Sequence, residues 1–81
     1  MAIKKENNIK NIQLIDLISY LESSKMIGEY YENISEANNG LYDESAKEEK
    51  NNAIIKRNKY RKISEIIFNE IKERIDELEL V

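Results

Sequence analysis

The chain has no Cys, no His, no Pro and no Trp among its 81 residues, and only two Gly. Without Cys there are no disulfide staples, no thiolate nucleophile and no soft-metal site, a composition that fits a reducing compartment and reads as cytoplasmic. Without His, the usual general base near neutral pH and the Glu-x-x-His metal sites of helical bundles are both missing. Carboxylates, Lys, Tyr and Ser remain as the candidates for chemistry. No run approaches the roughly 18 apolar residues of a membrane-spanning helix. Lys4, Lys5 and Lys10 before the stretch 12–21 imitate a signal peptide, but Gln13, Asp16 and Ser19 interrupt that stretch, so it reads as an amphipathic helix.

What is present is charge and helical periodicity. Asp, Glu, Lys and Arg make up 36% of the chain, the net charge is −3 and the mean hydropathy is −0.68. A mildly acidic chain is not drawn as a whole to nucleic acid or anionic membranes. The abundance of Ile, Asn and Lys is what AT-rich codons favour, a composition shared by low-GC bacteria, their phages and plasmids. At this length a single domain buries only about 60 to 65% of its unfolded surface, which leaves a marginal core. With disulfides excluded, oligomerisation is the common remedy.

Residues 1–7 read as a polar lead-in, and 8–81 as one helical domain. Asn7 or Asn8 is placed to cap a helix, and Ile9, Ile12, Leu14, Ile15, Leu17, Ile18 and Leu21 make it apolar around much of its circumference. Such a helix is gripped on more than one side. At about 100° per residue, the stripe of Leu14, Leu17, Ile18 and Leu21 lies roughly 200° from that of Ile27, Tyr30, Tyr31 and Ile34. Ser23, Ser24 and Gly28 therefore mark a break between helices 8–22 and 24–38, or else one bent helix shows its two faces to different neighbours. Adjacent Tyr30 and Tyr31 cannot both point inward.

Asn38, Asn39 and Gly40 punctuate the chain most clearly, since Asn and Gly accept the left-handed conformation that ends helices. The spacing predicts a turn over 38–44 and an antiparallel return. Ser45 with Glu48 matches a capping box, and no Gly or Pro interrupts 45–80, which spans on the order of 50 Å as one helix. Its apolar stripe is Tyr60, Ile63, Ile67, Ile71, Ile75, Leu78 and Val81, with spacings of mostly four that suit a globular bundle better than a supercoiled rod. The expected fold is all-α: an antiparallel helical hairpin or three-helix unit with one long C-terminal helix, assembling into a dimeric helical bundle.

No catalytic, cofactor or metal site emerges. A calcium loop centred on Gly40 would put Ser35 at the first ligand position and Ala46 where a bidentate Glu is needed. Glu73 and Glu77, one turn apart, read as a solvated helix face. The fragment Arg74, Ile75, Asp76, Glu77, Leu78 resembles the opening of the long first helix of helical chorismate mutases, a family of small all-α dimers that work with charged side chains alone. That likeness covers this fragment only, and the chain reads as non-enzymatic.

The sharpest local signal is the basic cluster Lys56, Arg57, Lys59, Arg61 and Lys62 around Tyr60. It has three readings: a solvated face, a patch that grips nucleic-acid phosphates by counterion release, or one half of a self-complementary dimer. In the last, two long helices cross antiparallel near Ile67, each basic stretch beside the other's acidic end at Asp76, Glu77 and Glu79. The self-association interface is then Tyr60, Ile63, Ile67, Ile71, Ile75 and Leu78. Glu29, Glu32 and Glu36 form an acidic stripe that either faces the basic cluster within the chain or meets a basic partner. A homodimeric protein-binding regulator, inhibitor or adaptor is the leading expectation. A homodimeric nucleic-acid accessory factor and a structural or assembly protein follow.

Overall fold

A computed structural model describes residues 9–79. The proposed caps Asn7 and Asn8, and Val81 of the apolar stripe, lie outside them. Among the described residues Ile9 is helical, 10–12 turn back with the Ile12 N–H on the Ile9 carbonyl, and two long helices follow, α1 (Leu14–Ala37) and α2 (Glu44–Glu79). The molecule is a rod 57 Å long and 15 Å across its thinnest dimension.

Helix α1 starts at Leu14, and residue 8, where the sequence places the first helix's start, lies outside the described residues. Gln13 is extended (φ −67°, ψ 151°) and offers no side-chain cap, so the first helical bond is Leu17 N–H to the Gln13 carbonyl at 3.0 Å. Asp16 in that first turn compensates, since a carboxylate is favoured at the positive end of the helix dipole.

The helix then runs through Ser23, Ser24 and Gly28 without a break, so one helix spans 14–37 where the three-helix alternative places a boundary. The reason is that Ser24 and Gly28 face the second helix instead of ending the first. Ser24 Oγ bonds back to the Leu21 carbonyl at 3.0 Å and across to Ser64 Oγ at 2.7 Å. A Cβ built on Gly28 would sit an ordinary 3.8 Å from the Cβ of Tyr60, so this position has room for a small side chain at the seam.

The reversal lies at Asn38–Gly40. Both the backbone N–H and the side-chain amide of Asn38 donate to the Ile34 carbonyl, at 3.2 and 2.9 Å. Gly40 takes φ +86°, which a side chain would resist. Lys50 Nζ then ties the turn to α2 through Asn39 Oδ1 at 2.8 Å. Helix α2 begins at Glu44, which puts Ser45 inside the first turn instead of at its cap. Lys47 N–H closes that turn on the Asp43 carbonyl at 3.1 Å.

The seam between the helices follows a strict alternation of three and four. On α1 the shielded row is Leu14, Leu17, Leu21, Ser24, Gly28, Tyr31 and Ser35. On α2 it is Ala46, Lys50, Ala53, Arg57, Tyr60, Ser64, Ile67, Ile71 and Arg74. This is the heptad seam of a coiled coil, although the apolar residues alone suggested a period of 3.6. Ile9, Leu17, Ile67 and Ile71 form its apolar core at the open end of the hairpin, with Ile12, Leu14, Leu21 and Ile63 against it. Towards the turn the seam is filled by small residues, with Ser35, Ala46 and Ala53 all buried.

Candidate interaction surface

A two-helix hairpin covers one stripe of each helix, and these helices carry more apolar side chains than one stripe holds. Met26 is 70% exposed, Phe68 51% and Leu78 66%. Ile15, Ile18, Tyr20, Tyr30, Ile55, Ile66 and Ile75 are exposed as well. Heptad position sorts them by flank. One flank carries Tyr20, Ile27 and Ile34 on α1 and Ile63 and Ile66 on α2. The other carries Ile18 on α1 and Ile54, Phe68 and Ile75 on α2, and Ile15 borders it.

The sequence-predicted interface residues divide between inside and outside. Ile67 and Ile71 are buried in the hairpin's own core, Tyr60 and Ile63 are partly covered, and Ile75 and Leu78 are exposed. Tyr60 stacks on Tyr31 with ring centroids 6.1 Å apart and planes 17° from parallel. Tyr31 is thus the inward member of the adjacent pair, while Tyr30 meets it edge-on and stays exposed.

Every member of the basic cluster has an interaction within the chain. Arg57 Nη1 lies 2.8 Å and Arg61 Nη2 3.4 Å from Glu32 Oε1, on the Phe68 flank. The Arg57 hydrogen bond holds the Glu32 carboxyl below its ordinary range, against the opposing cost of desolvation. Lys62 pairs with Glu65 at 3.2 Å. Lys56 and Lys59 lie over the rings of Tyr31 and Tyr60, at 5.5 and 5.9 Å from the centroids. Of the acidic stripe, Glu32 therefore faces the basic cluster, while Glu29 and Glu36 are exposed. A groove of about 260 Å3 runs beside Gly28 on this flank, lined by Lys25, Glu29, Glu32 and Arg61.

A second charged cluster was not legible in the sequence. Glu70 is buried between Lys10 Nζ at 3.0 Å and Arg74 Nε at 2.9 Å. Arg74 Nη2 also donates to the carbonyls of Ile9 and Lys10, at 3.2 Å each, and so pins the 9–12 turn to α2. Both cations hold the Glu70 carboxyl below its ordinary range, Arg74 most strongly, and Glu70 in turn raises the Lys10 ammonium. Only the (i, i+4) contact of Glu70 with Arg74 is visible in a linear reading. At the acidic end of α2, Asp76 pairs with Lys72 at 3.3 Å.

Among the described residues no group of three or more carboxylates is arranged to hold a metal ion. No helix among them is long and apolar enough to cross a membrane. Comparison with known proteins returns no family model, no curated protein and no solved structure that matches the chain.

Proposed function

We propose that the chain is a small cytoplasmic protein–protein interaction module that works as a homodimer, in the class of regulators, inhibitors and adaptors. The observation that supports this reading is the set of large apolar side chains left outside the hairpin on both flanks. Soluble monomers rarely leave contiguous apolar patches of more than a few hundred Å2 uncovered. Burial at about 25 cal/mol per Å2 supplies the driving force for association, and two hairpins stacked face to face make a four-helix bundle.

A dimer formed through one flank leaves the other open. We assign the open-end patch of Ile15, Ile18, Phe68 and Ile75 to the second protein, because the Glu32 ion pairs interrupt that flank towards the turn and confine its apolar part. Sedimentation equilibrium tests the first half of the reading, with a mass twice the chain's 9.6 kDa expected at micromolar concentration. A monomer throughout would refute it. Affinity capture from the native host tests the second half: a partner held by the wild type and lost with Phe68→Ser/Ile75→Ser supports it, and equal retention counts against it.

A further inference from the structure

We infer that the second copy packs antiparallel on the Tyr20–Ile66 flank, about a two-fold axis level with the Ser24–Ser64 hydrogen bond. Lys56 of each copy then lies against Glu73 of the other. The inference rests on the self-association proposed above and gives it a surface and a register.

Two rows of α2 repeat one pattern at seven-residue spacing. Lys56, Ile63 and Glu70 form one row, and Lys59, Ile66 and Glu73 the other. Both lie on the flank opposite the Glu32–Arg61 pair, and each runs basic, apolar, acidic. An isologous contact places every residue opposite one equally far beyond the axis. The two rows together are centred halfway between residues 64 and 65. About that centre Ile63 meets Ile66 of the second copy, and Lys56 meets its Glu73.

Helix α1 fits the same level. Its apolar row on this flank is Tyr20, Ile27 and Ile34, and the first two are centred halfway between residues 23 and 24. Ser24 Oγ lies 2.7 Å from Ser64 Oγ in an antiparallel hairpin, which puts the two centres side by side. One axis therefore serves both helices, with Tyr20 opposite Ile27 of the second copy.

The charges needed at the rim are free to serve it. Lys56 and Lys59 have no carboxylate ion-pair partner among the described residues and rest on tyrosine rings. Glu70 is already held by Lys10 and Arg74, whereas Glu73 is 69% exposed as a side chain and among the described residues pairs with Lys10 alone, at 3.7 Å. Glu73 is thus the acceptor left for a lysine arriving from the second copy.

The absence of cysteine makes the register directly testable. Tyr20→Cys and Ile27→Cys proteins, mixed and oxidised, are expected to give a covalent dimer. Either alone is expected to give little, because like positions sit about 10 Å apart along the axis, beyond the roughly 7 Å Cα reach of a disulfide. Lys56→Glu, an exposed substitution, should raise the dimer Kd about tenfold at low salt. Adding Glu73→Lys should return it towards the wild-type value. Cross-links within a single-cysteine sample, none in the mixture, or a Kd indifferent to Lys56→Glu would overturn the register and leave self-association standing. A monomer at every concentration would remove both.

Discussion

Replacing Glu70 by Gln keeps the shape of a buried side chain and removes its charge, which isolates what the Lys10–Glu70–Arg74 cluster contributes. The Glu70 side chain is 9% exposed and Arg74 is mostly covered, so their bond at 2.9 Å counts as a shielded, charge-assisted contact worth about 1.5 to 3 kcal/mol. Lys10 is more than half exposed, so solvent screens its contact at 3.0 Å and it adds little. A loss of about 2 to 3 kcal/mol is expected, against roughly 4 to 12 kcal/mol for a domain of this size. Urea unfolding followed by circular dichroism should show it as a midpoint lowered by about 1 to 2 M. The Ile12 amide, bonded to the Ile9 carbonyl at 3.2 Å, should also exchange faster as the 9–12 turn loosens.

The pH dependence decides the cause. The folded-state pKa of Glu70 lies below its ordinary value of 4.5. Its stabilisation is therefore complete above that value and lost as pH falls through the lower folded value. Wild type and Glu70→Gln should converge as the solution is acidified below pH 4.5, because the protonated carboxyl then resembles the amide. A stability gap that persists undiminished in acid would refute the electrostatic account and point to packing.

Three further outcomes follow from the seam. Gly28→Ala should stabilise the hairpin by about 0.5 to 1 kcal/mol in thermal unfolding, because the added Cβ meets Tyr60 at an ordinary 3.8 Å. Leu17→Ala, at the one large side chain fully buried among the described residues, should cost about 2 to 5 kcal/mol and lower the thermal midpoint accordingly. A labelled duplex titrated at physiological salt should bind no more tightly than the non-specific range of about 10⁻⁴ to 10⁻⁶ M, since Glu32 already engages Arg57 and Arg61. Tight binding with a steep salt slope would instead make the basic cluster a nucleic-acid surface.

How much of this was written in the residues depends on the level of structure asked about. Two long helices follow from the lack of breakers, and the turn follows from Asn38, Asn39 and Gly40, because both signals are local. Which face lies inward is not local. A reading weighted by hydropathy follows Ile and Leu, and it therefore left Ser24 and Gly28 open between a break and a bend and put Ile75 on one stripe with Ile67 and Ile71. The folded chain buries a row spaced by threes and fours in which Ser24, Gly28, Ser35, Ala46 and Ala53 earn their place by being small. Their value is the close approach they permit, a property of the pair of helices that neither sequence segment carries alone.

The same distinction explains why the apolar residues look excessive. Two parallel cylinders in contact shield a narrow stripe of each, here the one built from small and polar residues along its turn-proximal half. Tyr20, Ile27, Ile63 and Ile66 stand beside that stripe, at the angle where a third and fourth helix would lie. Large apolar side chains fill the seam only at the open end, around Leu17, Ile67 and Ile71. Level with the Ser24–Ser64 bond the seam is polar while Tyr20 and Ile66 stand exposed beside it, which is the distribution that the proposed bundle requires.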